Sequence, residues 1–177
     1  MVTRPLVWHL SLVLLALMLA LSNTVLGQSV GVTTIRGTVV SVADGDTLTV
    51  LDGDHIRHKI GLLGVDAPEK MQAFGRKSKF SLSDLTLLKQ VEVKTGQYVQ
   101  DGRTLGVVLV QGEDVNLSQL QRGMAWMDPE ERKSPSAQDR NAYKEAQALA
   151  KVRRLGLWGL NKPVPPWEFR QGKTQHR

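Results

Sequence analysis

The stretch that decides the fold of this chain reads Thr34-Ile-Arg-Gly-Thr-Val-Val-Ser-Val-Ala-Asp-Gly-Asp-Thr-Leu-Thr-Val50. Its β-branched and apolar residues favour extended strands, and Asp44-Gly45-Asp46 interrupts them with residue types that favour a tight turn. A second turn signal of the same kind, Asp52-Gly53-Asp54, is followed by another apolar segment over residues 56–63. We therefore predict three consecutive antiparallel strands, a β-meander.

Beyond this meander, the pattern predicts two further strands and three helices. Leu82, Leu85 and Leu88 recur every three residues and indicate an amphipathic helix. The expected segments are strands over residues 91–94 and 105–110, and helices after Gly75, over residues 116–122 and between Ser136 and Gly156. Helices that follow the third and fifth strands predict an α+β, mainly β fold: a five-stranded OB-fold barrel with three helices.

The composition fits one folded domain with a basic surface. The chain has 177 residues, of which 41% are hydrophobic, and this is enough for one core. Its formal net charge of +6 makes a polyanion the first partner to test, with an ordinary basic exported protein as the alternative. Because the chain has no cysteine, a disulfide framework is excluded.

The first 27 residues differ in composition from the rest. Arg4 carries their only formal side-chain charge, and residues 10–21 form an apolar run that only Ser11 interrupts. This is typical of a secretory signal peptide cleaved before Gln28, and an uncleaved N-terminal anchor is the rival interpretation. We predict export to the periplasm or medium of a bacterium, with a signal peptide (1–27), a linker (28–33), a folded domain (34–160) and a surface tail (161–177).

Three acidic residues lie at predicted turns or strand ends: Asp46, Asp66 and Glu69. A hard divalent cation such as Ca²⁺ takes several oxygen ligands, which two carboxylates, a backbone carbonyl and waters can supply. A third carboxylate can then orient or deprotonate a bound water. A plain β-turn is the alternative for Asp44-Gly45-Asp46, and it is the only role we assign to the similar Asp52-Gly53-Asp54.

The wider pattern distinguishes these two turns, because six segments resemble, in order and spacing, those of the staphylococcal-type thermonuclease family. The segments are Val40-Ser-Val-Ala-Asp-Gly-Asp-Thr-Leu-Thr-Val50, Leu62-Leu-Gly-Val-Asp-Ala-Pro-Glu69, Asp101-Gly-Arg-Thr-Leu105, Asp114-Val-Asn-Leu117, Gly156-Leu-Trp158 and Pro166-Trp-Glu-Phe-Arg170. The resemblance runs from about Thr34 to Arg170. It implies an OB barrel with three helices, Ca²⁺ as cofactor and DNA or RNA as substrate.

The resemblance also implies roles for individual residues. Asp46 and Asp66 correspond to the carboxylate ligands of the metal, with the backbone oxygen of Ala67 as a third ligand. Glu69 corresponds to the residue that orients or activates the attacking water. Arg103 corresponds to a guanidinium that binds the scissile phosphate, for which a planar and permanently charged fork is suited. Without the resemblance, a solvated loop arginine is the preferred interpretation of Arg103.

The sequence departs from the family at several positions. The family has a second phosphate-binding arginine five residues before the aspartate of Asp-Ala-Pro-Glu, where this chain has Gly61. Loss of one such donor slows a reaction by about 10²–10³-fold. Arg57 and Lys59 share a strand face with Gly61, because side chains alternate, and are the predicted substitutes. Asp101 and the segment Asp128-Pro-Glu-Glu131 replace expected aromatic residues and weaken base stacking.

Two functions from different classes therefore stay open. The first is an exported Ca²⁺-dependent nuclease acting on DNA or RNA, slower or differently selective than its relatives, monomeric and free of the membrane after signal cleavage. The second is a noncatalytic OB-fold descendant that binds nucleic acid or another anion. Retention of Asp46, Asp66, Glu69 and Arg103 favours the nuclease, whereas Gly61 and the missing aromatic residues favour the binding protein. An exported barrel with a structural role is a third interpretation.

Overall fold

The structure, a computed structural model, describes residues 33–130 and 136–172. The strands in these ranges are β1 (Thr33–Val42), β2 (Thr47–Asp52), β3 (Arg57–Leu62), β4 (Val65–Asp66), β5 (Gln90–Gln100), β6 (Arg103–Val110), β7 (Glu113–Asp114) and β8 (Trp126–Met127). The helices are α1 (Gly75–Thr86), α2 (Val115–Gln121), α3 (Ala137–Val152), a 3-10 helix (Gly156–Gly159) and α4 (Pro166–Arg170). The predicted signal peptide lies outside the described residues.

The five long strands form a closed ring. Antiparallel pairing joins strands in the order β3-β2-β1-β5-β6-β7, and a parallel pairing between β3 and β6 closes the ring. The β1–β2–β3 meander and three of the helices therefore occur as predicted, and the α+β, mainly β fold class is confirmed. The closing register sets Gly61 opposite Leu105, at the end of β3 that leads into β4.

The hydrophobic core joins the inside of this ring to helices α1, α2 and α3. Alternation within the strands buries one face, as Leu48 and Val50 show in β2. Burial of each such aliphatic side chain stabilises the fold by about 1.5–3 kcal/mol. The fully or almost fully buried residues of this core include Val39, Leu48, Val50, Ile60, Leu82, Val93, Val108, Leu120 and Tyr143.

One predicted detail of α1 is wrong. The helix ends at Thr86, and Leu88 follows it with a left-handed φ of 60° and a 76% exposed side chain. Leu87 is already extended, with ψ at 131°, and the Leu88 N–H donates to the carbonyl of Val39, so the backbone leaves the helix before Leu88 can share the face that buries Leu82. The spacing therefore indicated a helix but overstated its length.

The C-terminal segment packs against the domain through a helix that the sequence did not predict. Gln72 Nε2 donates a hydrogen bond of 2.7 Å to the carbonyl of Val164, just before α4. Within α4, the ring of Trp167 meets that of Trp126 edge to face at 5.7 Å between centroids. Pro166 is buried at the first position of α4, where its fixed φ favours a helix start.

Across residues 33–130 and 136–172, none of the helices combines the length and the apolar character needed to span a bilayer.

The side chain of Asn116 forms hydrogen bonds to the backbone next to the contact between β3 and β6. We therefore expect the closed ring of strands to depend on Asn116. Its Oδ1 accepts the N–H of Val108 at 3.1 Å, and its Nδ2 donates to the carbonyls of Leu63 (3.0 Å) and Gly106 (3.1 Å). Asn116→Ala leaves the Val108 N–H and the Leu63 carbonyl without that partner, at a cost of about 1–3 kcal/mol for each, whereas the Gly106 carbonyl keeps the Leu63 N–H. The urea midpoint should therefore fall clearly.

Asn141→Ala is the matched control for this prediction. Asn141 is exposed within α3, where alanine has the higher helix propensity, so the urea midpoint should stay the same or rise. Equal effects of the two substitutions would contradict the role assigned to Asn116.

Candidate functional site

A cavity of about 270 Å³ opens where the β1–β2 turn, β4 and the start of β6 meet. It gathers residues that are far apart in the sequence, and all five residues predicted as catalytic or metal-binding line it. They are Asp46, Asp66, Ala67, Glu69 and Arg103. Their roles stay predictions, but the convergence on which those roles depend is present.

The Asp44-Gly45-Asp46 turn is packed against the rest of the site. A Cβ atom on Gly45 would lie 1.9 Å from Ser78 Oγ and 2.7 Å from the Cβ of Ala67, so only glycine fits there. A Cβ on Gly53, in the other Asp-Gly-Asp turn, would meet nothing within 4 Å. The two Asp-Gly-Asp turns therefore differ in packing: the glycine at position 45 is tightly enclosed, whereas the glycine at position 53 is open to solvent.

The carboxylate of Asp46 is held rigidly within the cavity. Its Oδ2 accepts the backbone N–H of Ala67 at 2.7 Å, and its Oδ1 accepts the hydroxyl of Thr47 at 2.9 Å. The side chain is only 14% exposed. Burial, followed by the negative charge of Asp44, raises the pKa of Asp46 to about 7, although the hydrogen bond from Ala67 opposes the rise. A cation bound nearby would reduce the free-energy cost of keeping this buried carboxylate ionised.

Arg103 faces Asp46 from the first position of β6. Its Nη1 donates to Thr47 Oγ1 at 2.7 Å and to Asp46 Oδ1 at 3.4 Å, and its Nη2 lies 3.6 Å from Asp101 Oδ2. The guanidinium is therefore an ordered part of the cavity rather than a solvated loop charge. Sequence reasoning did not identify Thr47 as the residue that orients it.

Asp66 and Glu69 share a partner that sequence reasoning missed. Arg170, the last residue of α4, donates from Nη2 to Asp66 Oδ2 at 2.7 Å and from Nη1 to Asp66 Oδ1 at 3.1 Å. The same Nη1 donates to Glu69 Oε1 at 2.8 Å. These bonds, those to Asp66 first, raise the pKa of Arg170, so it stays charged. The available signal was the segment Pro166-Trp-Glu-Phe-Arg170, whose aromatic residues Trp167 and Phe169 can anchor it to the domain.

The lining of the cavity is strongly acidic. Arg103 and Arg170 are the basic residues of the lining in the described part of the chain, against seven acidic ones. A phosphodiester would be repelled from such a surface unless a cation accompanied it. The carboxylate oxygens are also the hard ligands that Ca²⁺ prefers. The acidic residues are Asp44, Asp46, Asp66, Glu69, Asp101, Asp128 and Glu130.

The oxygen donors fit a hard cation, although they do not form a large preassembled centre. Among residues 33–130 and 136–172, no group of three or more histidine, cysteine, aspartate or glutamate side chains is arranged to hold a metal ion. The predicted ligand set is smaller: the carboxylates of Asp46 and Asp66 and the backbone oxygen of Ala67. Waters would complete the six to eight oxygens that Ca²⁺ takes.

Gly61 lines the cavity beside Arg103 without contributing a side chain. A Cβ at Gly61 would lie 2.8 Å from Leu105 Cδ2 and 3.8 Å from the Cβ and Cδ atoms of Arg103, so a side chain there would extend next to that arginine. Arg57 and Lys59 are exposed on β3 and are not part of the cavity lining. Their role as phosphate-binding substitutes stays a prediction.

Comparison with known proteins gives consistent matches. Residues 59–159 match the sequence profile of the family described as staphylococcal nuclease homologue. The chain is 40% identical over 133 residues to an uncharacterized endonuclease of Haemophilus influenzae, covering 75% of this chain and 71% of that protein. It is 38% identical over 146 residues to a micrococcal nuclease of Shigella flexneri, covering 77% and 80% of the two chains. It is also 33% identical to protein ParB of Escherichia coli, covering 81% and 83%.

The raised pKa of Asp46 predicts that Asp46→Asn stabilises the metal-free protein at high pH. The folded-state pKa lies above the unfolded value of 3.8, so the contribution of Asp46 to stability is fully present below that value and is lost as pH rises through about 7. Asparagine has no charge to bury, so its melting temperature should exceed that of wild type by a margin that grows between about pH 5 and pH 8. Calorimetry with chelator present measures this margin.

Asp54→Asn is the control, because Asp54 is exposed in the other Asp-Gly-Asp turn. A margin of the same size and trend in that variant, or a constant margin for Asp46→Asn, would show that burial does not shift the titration of Asp46.

Proposed function

The chain belongs to the staphylococcal nuclease family, and we propose that it is an exported, Ca²⁺-dependent nuclease that hydrolyses phosphodiester bonds in DNA or RNA. One observation carries the proposal: Asp46, Asp66, Glu69 and Arg103 line a single cavity. A protein that merely bound a polyanion would gain nothing from these clustered carboxylates. Two of the relatives described above, an uncharacterized endonuclease and a micrococcal nuclease, bear names that agree with this activity.

The proposed roles follow from the positions of the residues. Asp46, Asp66 and the backbone oxygen of Ala67 would hold Ca²⁺, which offsets phosphate charge and lowers the pKa of a coordinated water. Glu69 is 40% exposed, so its carboxylate can reach a water in the cavity and accept its proton. Arg103, oriented by Thr47, donates to the phosphate oxygens as negative charge develops on them.

The noncatalytic alternative has specific support of its own. Gly61 contributes no cation to the cavity, and Asp101, Asp128 and Glu130 line it with further negative charge. These features would weaken a nuclease. They also support the proposal of a bound cation, because the negative charge of the cavity would otherwise repel a phosphate group.

The decisive experiment measures release of acid-soluble nucleotides from single-stranded DNA and from RNA by the purified protein. We expect cutting with Ca²⁺ and none after chelation. Glu69→Gln should slow the reaction by about 10²–10⁴-fold, the usual contribution of a general base. Asp46→Ala should abolish it, because a predicted metal ligand is lost.

Glu92→Gln is the matched control, since Glu92 forms an exposed ion pair with Arg36 on the strands away from the cavity. Its rate should equal that of wild type. If the protein binds DNA without cutting it in the presence of Ca²⁺, the noncatalytic alternative is correct.

Export is supported by the apolar run over residues 10–21. We expect the protein recovered from the periplasm or medium of a bacterial host to begin at Gln28, as determined by mass spectrometry. Leu15→Arg should retain it in the cell, whereas Leu15→Ile should not. Recovery of a chain that starts at Met1 in the membrane fraction would instead support the N-terminal anchor.

A further inference from the structure

The cavity receives a second guanidinium from α4. Arg170 ends the segment Pro166-Trp-Glu-Phe-Arg170 and lies eleven positions beyond residue 159, where the profile match ends. Its fork holds both oxygens of Asp66, and it also bonds to Glu69. Arg103 is bonded to Asp46 in the same cavity. Each of the two guanidinium groups thus sits beside carboxylates proposed to act in the reaction.

Arg170 is held in this position by the packing of α4. Trp167 stacks edge to face on Trp126, and the backbone of Trp126 pairs with Asp66 in the two-stranded β4–β8 sheet. Gln72 adds a second link: it accepts the N–H of Glu69 and donates to the carbonyl of Val164. The residues that place Asp66 and Glu69 therefore also place Arg170.

An incoming phosphate can reach Arg170. The Arg170 side chain is 49% exposed, while that of its partner Asp66 is 13% exposed. A guanidinium carries five N–H donors, and the bonds to Asp66 and Glu69 use three of them. The remaining donors can bind phosphate oxygens from the solvent side. A cation that takes over Asp66 would free further donors.

We propose that Arg170 is the second phosphate-binding guanidinium of the site, and that α4 supplies the cation which the side-chain-free position Gly61 does not. In the metal-free protein, Arg170 partly neutralises Asp66 and Glu69. With substrate bound, it donates to the phosphodiester alongside Arg103. This inference rests on the proposed nuclease function for its catalytic consequence, but the predicted contact with phosphate can be measured without cleavage.

The binding test uses Glu69→Gln as a background, because this substitution is expected to slow cutting by about 10²–10⁴-fold. A fluorescent single-stranded oligonucleotide is titrated with this protein in Ca²⁺ at several salt concentrations. We expect Arg170→Ala in that background to weaken binding about tenfold or more and to reduce the slope of log affinity against log salt by about 0.7, the value for one phosphate contact on a single strand. Arg170→Lys should keep the slope but recover only part of the affinity, because lysine lacks the fork.

Arg36→Ala is the matched control, because Arg36 is an exposed arginine in a single ion pair with Glu92. It should change neither the affinity nor the slope. An Arg170→Ala variant that binds with wild-type affinity and slope overturns the proposal.

The kinetic test uses the otherwise unmodified protein. We expect Arg170→Ala to lower kcat/KM by about 10²-fold at saturating Ca²⁺, the effect of one lost charge donor. Calorimetry should show that this variant binds Ca²⁺ at least as tightly as wild type, since Arg170 no longer occupies Asp66. Adding Gly61→Arg should restore part of the rate, because the atom that a new Cβ there would meet most closely, at 2.8 Å, is the flexible end of Leu105.

A faster Arg170→Ala enzyme would overturn the proposal by showing that Arg170 blocks the site.

The outcomes of the binding and kinetic tests also distinguish this inference from the proposed nuclease function. If wild type cuts and Arg170→Ala cuts equally well, only the role of Arg170 fails. If wild type does not cut but binds the oligonucleotide through Arg170, only the nuclease function fails. If wild type neither cuts nor binds, both fail.

Discussion

The parallel contact between β3 and β6 is the constraint on which the rest of this structure depends. It closes the ring of strands and brings Gly61 beside Leu105, two positions after Arg103. The chain leaving β3 is fixed at the same point, because the Leu62 N–H donates to the carbonyl of Asp46 and the Leu63 N–H to that of Gly106. Without closure, the turn that carries Asp46 and the strand that begins with Arg103 would have no reason to share a cavity.

Closure also concentrates negative charge. Seven acidic residues line one cavity, and burial makes the ionised form of Asp46 unfavourable. Such a cluster lowers the stability of the metal-free fold, which is the usual relation between a functional site and the protein that carries it. Arg103 and Arg170 offset part of this charge through Asp46 on one side and Asp66 and Glu69 on the other. A divalent cation would offset more, so the proposed binding of cation and of substrate would be interdependent.

The C-terminal segment is part of the site in this protein. Its anchor is aromatic: Trp167 packs on Trp126, whose backbone pairs with Asp66. A short helix of five residues has little stability by itself, so its position depends on that contact and on the bond from Gln72 to Val164. The geometry of Asp66 and Glu69 is consequently coupled to residues about a hundred positions away along the chain.

The sequence alone determined the β-meander, the three main helices, the mainly β class and the candidate residues Asp46, Asp66, Glu69 and Arg103. These features depend on local periodicity, on turn residues and on the order of short motifs, all of which can be read along the chain. Tertiary structure alone decided which Asp-Gly-Asp turn is packed, where α1 ends, and that Arg170 reaches Asp66. Those outcomes depend on contacts between distant segments, whose free energy comes from packing and charge after the ring has closed, and no local pattern encodes them.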